Sequence, residues 1–361
     1  MGRSQLHILL FLAAVLALGA ILAPPLYWGG KWLASMIVSF KQTDTPFIGW
    51  VGQKLTSHQF DSYFNRAFLI SALGLLWPFL KLMKLAGDPL GMEKNPRRTA
   101  DTVLGFVLAA GFLAVLTAAL LGWGAYLMDG TVKWGSIIPR AILTGVIVAL
   151  LEEWLFRGVF LGIALRTSRP WAAILAVSVL FSILHLVKAP DILLSGEGER
   201  ARVNAVLKSA DWPNHVDALR TRPEEGNWMI PPEFKAFAPT AISWTSGFEM
   251  TAAIFRKKSE PRLFFSEFLT LFAIGVILAR ARCATRSLWL PIGLHAGWIF
   301  ANTLCLGMTK PSPLLESGGY QLAITGQQIP WIGHELKIGL LPLITLVVTA
   351  AAMELRLRRR G

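Results

Sequence analysis

Apolar residues in this chain neither alternate nor mark one face of a helix; they come in long unbroken runs. Runs of about 20 mostly apolar residues, the length a helix needs to cross a hydrocarbon core about 30 Å thick, occur near 6–28, 67–86, 102–127, 137–165, 170–188, 263–280, 286–306 and 336–354. A bilayer offers no water to backbone N–H and C=O groups, so continuous runs of this length are read as helices that satisfy those groups internally. The expected fold is therefore all-α, a polytopic membrane helix bundle of about eight spans. The polar stretches between runs are short except for residues 189–262, an insertion after the fifth span. This pattern divides the chain into N-terminal spans with an interfacial segment (1–136), a core (137–306) that includes the insertion, and a last loop, span and basic tail (307–361).

Composition supports the membrane reading. The 361 residues are 54% hydrophobic and 16% charged, with a mean hydropathy of +0.52, values that a water-soluble domain does not reach. A net charge of +13 raises nucleic acid as a partner, but the placement of the charge argues against it. Lys81, Lys84, Lys94, Arg97 and Arg98 follow the second run, Arg166 and Arg169 the fourth, Arg280, Arg282 and Arg286 the sixth, and Arg356, Arg358, Arg359 and Arg360 the last. Every second connection is basic. The positive-inside rule then puts both termini in the cytoplasm of a multi-pass inner (plasma) membrane protein, with lipid as its solvent and no nucleic-acid partner. The first run follows the short basic leader MGRSQ and reads as an uncleaved signal anchor, with a cleaved signal peptide ending near Ala17, Gly19 and Ala20 as the alternative. Cys283 and Cys305 are the only cysteines and indicate no disulfide framework.

The insertion 189–262 carries ten acidic and ten basic residues, a balance that fits a segment translocated to the outer side. Pro213, Pro223, Pro231, Pro232 and Pro239 interrupt any long helix there, while Trp212, Trp228, Phe234, Phe237 and Trp244 supply apolar bulk. The expectation is a small cap lying on the membrane surface, with a plain connector as the alternative. Residues 29–66, with Trp32, Phe40, Phe47, Trp50 and Phe64 among polar positions, suit an interfacial segment on the same side.

Ionisable side chains deep in a span each cost a few kcal/mol, so each needs a partner or a task. The deep ones are Glu152, Glu153 and Arg157 in the fourth span, His185 in the fifth and His295 in the seventh. Glu153 and Arg157 stand four apart, a spacing at which helical side chains meet. Arg157 can neutralise one glutamate but not readily both, which leaves a carboxylate free to exchange a proton, as a general base for water must. At 1.5 Å per residue, all three helices carry these groups to about mid-bilayer or somewhat beyond it. Gly158/Gly162, Gly275/Ala279 and Gly293/Gly297 have the small-xxx-small spacing that lets helices approach closely and hold such a cluster together.

These residues resemble a known family. Glu152-Glu153-Trp154-Leu155-Phe156-Arg157 is similar to the EExxxR motif of the CPBP family, Phe181-Ser182-Ile183-Leu184-His185 to its FxxxH motif, and His295 in IGLHAGW to its third, histidine-bearing motif. The family comprises CAAX prenyl protease 2-like intramembrane endopeptidases and their bacterial relatives, some of them labelled metalloproteases. The resemblance, which covers about residues 137–306, implies hydrolysis of a peptide bond of a membrane-associated protein or peptide. Glu152 would activate water, His185 would help hold it, His295 would help stabilise the oxyanion, and Glu153 and Arg157 would organise the site.

One position departs from the family. Its third motif reads HxxxN, but Ile299 stands four residues after His295, so Trp298, through its indole N–H, and Asn302, two turns along the helix, are the weak substitutes for the oxyanion donor. Glu152, His185 and His295 also make a candidate zinc ligand set, although no HExxH pair occurs. Two functions from other classes stay open: a catalytically silent scaffold of the same family that binds or protects a partner, as an immunity protein would, and a transporter relaying protons through Glu152 and Glu153. No inverted repeat supports the transporter.

Overall fold

The structure, a computed structural model, describes residues 3–39, 46–88, 90–186, 242–256, 261–312, 321–324, 327–330, 336 and 339–359. Its described part is helical apart from two short strand pairs, as the apolar runs predict. Among the described residues, seven helical runs are long and apolar enough to cross a membrane, and an eighth apolar helix, Pro170–Leu186, is shorter. Most of the expected cap, residues 187–241 and 257–260, lies outside the described residues.

The helices form two compact units. The first contains α1 (Arg3–Ser39), α2 (Pro46–Ser57), α3 (Phe60–Leu82) and α8 (Ser246–Arg256). α1 and α3 run antiparallel, because Phe11 meets Phe79 at 4.6 Å between ring centroids while Tyr27 meets Tyr63 at 5.5 Å. α1 continues to Ser39, well past the run ending at residue 28, and α3 begins at Phe60 instead of 67. The polar residues that interrupt the apolar pattern there are satisfied within the unit: Lys31 Nζ donates to the carbonyls of Leu55, at 3.3 Å, and His58, at 2.7 Å. Lys31 thereby takes carbonyls at the C-terminal end of α2 that have no helical partner. Helix α8, the described end of the expected cap, packs on α1 at Gly247, where a side chain would collide with the Ala20 carbonyl. Met250 of α8 is fully buried with Tyr27, Phe60 and Phe64.

The second unit contains α4 (Arg98–Gly122), α5 (Trp134–Glu153), a π-helical segment (Trp154–Phe160), α6 (Leu161–Thr167), α7 (Pro170–Leu186), α9 (Pro261–Thr285), α10 (Trp289–Met308) and α11 (Leu340–Arg358). Strand β1 (Tyr126–Met128), after α4, pairs antiparallel with β2 (Thr309–Pro311), after α10, with Leu127 opposite Lys310. Strands β3 (Gln321–Ile324) and β4 (Gln327–Pro330) form a hairpin.

Backbone proximity sets the geometry around α10. An added Cβ at Gly293 would strike the Thr102 carbonyl, one at Gly297 would lie 2.6 Å from the Phe106 carbonyl, and one at Gly105 would lie 2.5 Å from the Leu290 carbonyl. α4 and α10 therefore cross on bare backbone. On the other flank, Gly145 of α5 faces the Ala296 carbonyl at 3.0 Å, and Gly275 of α9 faces Ser178 of α7 at 2.9 Å. The small-residue expectation thus holds at Gly293/Gly297 and at Gly275. At Gly162 it does not: nothing lies within 4 Å of its added Cβ, so that glycine provides no close approach. The buried stripe of α5 is Ala141, Gly145, Ala149 and Glu153, one residue per turn, while Ile142, Leu143, Val146 and Ile147 are exposed on the apolar outside. This stripe of small side chains ends on a carboxylate, and that carboxylate faces inward.

Candidate active site

The buried stripe of α5 delivers Glu153 to the interior, and the π-helical segment begins at the next residue. A π turn carries one extra residue per turn, so it rotates the residues after it relative to a regular helix. The N–H of Leu161 bonds the carbonyl of Phe156, five residues back. Large Phe156 and Phe160 pack inward while Gly158 passes under the Leu90 carbonyl, 2.8 Å from an added Cβ.

Glu153 and Arg157 form the ion pair expected from their spacing, Nη1 to Oε1 at 2.9 Å, and both side chains have no solvent exposure. A buried pair of this kind persists only when further polar partners complete it. Arg157 Nη2 donates to the Gly275 carbonyl at 3.3 Å, and the guanidinium lies over the Phe181 ring, 4.4 Å from its centroid. The same Glu153 oxygen accepts from His295 Nδ1 at 2.7 Å. Glu153 is thus shared by an arginine on its own helix and a histidine on α10.

Adjacent Glu152 points elsewhere. Its Oε2 lies 3.2 Å from His185 Nε2 and 3.8 Å from His295 Nε2; that oxygen is buried, while the side chain as a whole keeps 28% of its surface exposed. His185 Nδ1 lies 2.8 Å from the Phe181 carbonyl, an acceptor only, so that nitrogen carries the proton. His295 Nδ1 carries one for the same reason against Glu153. Both remaining ring nitrogens then face one carboxylate oxygen of Glu152. Among the described residues that oxygen is buried without a hydrogen-bond partner, so the approach of His185 is an ion-pair distance only.

All five expected residues, Glu152, Glu153, Arg157, His185 and His295, therefore meet in one cluster within the second unit. Phe181 had a place in a motif but no assigned task. Its ring lies under Arg157, 4.1 Å from His185 and 6.1 Å from His295 between centroids. Gly275, whose carbonyl accepts from Arg157, carried only a small-residue signal in the sequence. Trp298 and Asn302 lie apart: among the described residues no hydrogen bond, ion pair or ring contact joins either to the cluster. Trp298 packs in the apolar core with Leu113, Leu278 and Leu294, its indole N–H buried without a partner there.

The expected zinc set does not fit as drawn. Among the described residues no three His, Cys, Asp or Glu are placed to hold a metal ion. Glu152 Oε2 is buried without a hydrogen-bond partner among the described residues, 3.2 Å from His185 Nε2, and the His295 ring is drawn toward Glu153.

The fold and this interior polar cluster define a multi-pass membrane protein with charged and imidazole side chains gathered inside its second unit. Residues 133–301 match the model of the family Type II CAAX prenyl endopeptidase Rce1-like. This segment, which holds all five cluster residues, belongs to the CPBP family of intramembrane endopeptidases, a family of peptide hydrolases. No curated protein and no solved structure matches the chain.

Proposed function

We propose that this protein is an intramembrane endopeptidase that hydrolyses a peptide bond of a membrane-associated protein or peptide with a water activated by Glu152. The observation that carries the reading is the asymmetry of the two adjacent carboxylates. Glu153 is enclosed and committed to Arg157 and His295, whereas Glu152 is partly open and faces two imidazoles.

In this scheme Glu152 takes a proton from water as the oxygen attacks the scissile carbonyl, and His185 keeps that water in line. The carbonyl π electrons move to oxygen, which becomes an oxyanion facing His295. Collapse of the intermediate breaks the C–N bond, and the proton that Glu152 took from water passes to the departing amine. Glu153 holds His295 by Nδ1 and stabilises positive charge on its ring, as a buried carboxylate does in a triad. Arg157 holds Glu153. No acyl-enzyme is formed, and no step requires a metal.

The basic connections favour both termini in the cytoplasm of an inner membrane. The test uses purified protein reconstituted with a panel of membrane-anchored peptides, read by mass spectrometry. Cleavage by wild type that disappears in Glu152→Gln supports the scheme. Cleavage that survives in that variant removes Glu152 from the base role.

A further inference from the structure

A second polar site lies away from the cluster, at the opposite end of α4 from β1. There the start of α4 and the end of α11 border a cleft of about 370 Å³ lined by Arg97, Ala100, Arg356 and Arg359. Arg97 caps the start of α4 and Arg359 caps the end of α11, so the cleft lies at these two helix ends. None of the three guanidinium groups has a carboxylate partner among the described residues. The nearby acids are engaged elsewhere: Glu354 pairs with Arg280 at 2.9 Å, and buried Asp101 accepts from Asn95 Nδ2 at 3.3 Å.

We infer that this cleft binds the phosphate of an anionic phospholipid headgroup. Three unpaired guanidinium groups around a cavity of headgroup size fit a phosphate, which accepts their N–H donors in fork geometry. The small side chain of Ala100 leaves the space. A free phosphate would satisfy the same donors, but the flanks of the cleft point to lipid. Val103 and Val107 on α4 and Val347, Val348 and Leu355 on α11 are exposed apolar residues leading away from the arginines toward the hydrocarbon. Acyl chains lie along such faces while the headgroup meets the basic residues, as in basic pockets between helices at a membrane surface.

The full-length protein, delipidated and placed in nanodiscs of phosphatidylcholine with or without phosphatidylglycerol, provides the test by native mass spectrometry of retained lipid. The Arg97→Gln/Arg356→Gln/Arg359→Gln variant should bind phosphatidylglycerol roughly 100-fold more weakly, on the order of fivefold per basic residue. A control that removes the same charge beside the cleft, Lys94→Gln/Arg98→Gln/Arg358→Gln, should bind within about twofold of wild type if only diffuse attraction is lost. Ala100→Glu, which keeps every arginine but places a carboxylate in the cleft, should abolish retention, and its melting temperature without lipid shows that it is folded. Equal loss in the cleft and control variants overturns the site in favour of general surface charge. Displacement of the lipid by millimolar inorganic phosphate overturns the lipid assignment.

Discussion

His295 is held by Glu153: its Nδ1 lies 2.7 Å from Oε1 of a carboxylate with no solvent exposure, while its Nε2 stands 3.8 Å from Glu152. The two neighbouring glutamates therefore act on opposite nitrogens of one ring. Glu153 meets the ring at Nδ1, and Glu152 stands on its Nε2 side. In the proposed scheme this separation divides residues that build the site from residues that react in it, and substitutions on the two sides should have different effects.

Arg157 is placed as a builder. Arg157→Ala leaves the Glu153 carboxylate buried without its cation, so stability should fall by about 3–5 kcal/mol. Glu153→Gln/Arg157→Met removes both charges and should recover much of that loss in a thermal unfolding series, without recovering cleavage, because His295 then loses its anionic partner. Recovery of activity together with stability would contradict the orienting role of Glu153.

Phe181 joins the parts through its ring. Phe181→Leu keeps an apolar side chain but removes the face under Arg157 and beside His185, and cleavage should fall about 10-fold or more with protein yield retained. The conservative Phe181→Tyr should retain most activity if the ring face is what matters. Full activity in the leucine variant would make Phe181 simple packing.

Helix spacing offers a contrast within one residue type. Gly293→Val forces a side chain into the Thr102 carbonyl and should prevent a stable fold or leave the protein strongly destabilised. Gly162→Ala meets nothing within 4 Å and should be neutral or stabilise by up to about 1 kcal/mol. Thermal stability of the two variants in detergent separates a close helix contact from incidental glycine.

The metal question has a direct readout. Cleavage by protein treated with a strong chelator should remain within about twofold of the untreated enzyme. Loss that zinc add-back restores would instead assign Glu152, His185 and His295 as ligands.

The apolar runs made the helices readable because membrane crossing requires long uninterrupted hydrophobicity, and the deep charges stood out against it. Glu152, Glu153, Arg157, His185 and His295 could be singled out on that ground, before any geometry. Which glutamate meets which histidine could not be read, since adjacent residues differ by about 100° around a helix and the rotation of α5 is set by Gly145 against Ala296. The π-helical segment after Glu153 has no sequence mark of its own. Helix α1 outran its apolar pattern because Lys31 is satisfied by the carbonyls of Leu55 and His58, partners that are distant in the chain.

The central claim is that Glu152 is the base, and the most direct measurement is single-turnover cleavage of a captured membrane peptide by wild type and Glu152→Gln under identical conditions. The Gln side chain keeps the shape but cannot accept the proton, so the account predicts peptide bound as in wild type, unchanged melting temperature, and a cleavage rate lower by about 10²–10⁴-fold. Cleavage at the wild-type rate by folded Glu152→Gln protein would contradict it.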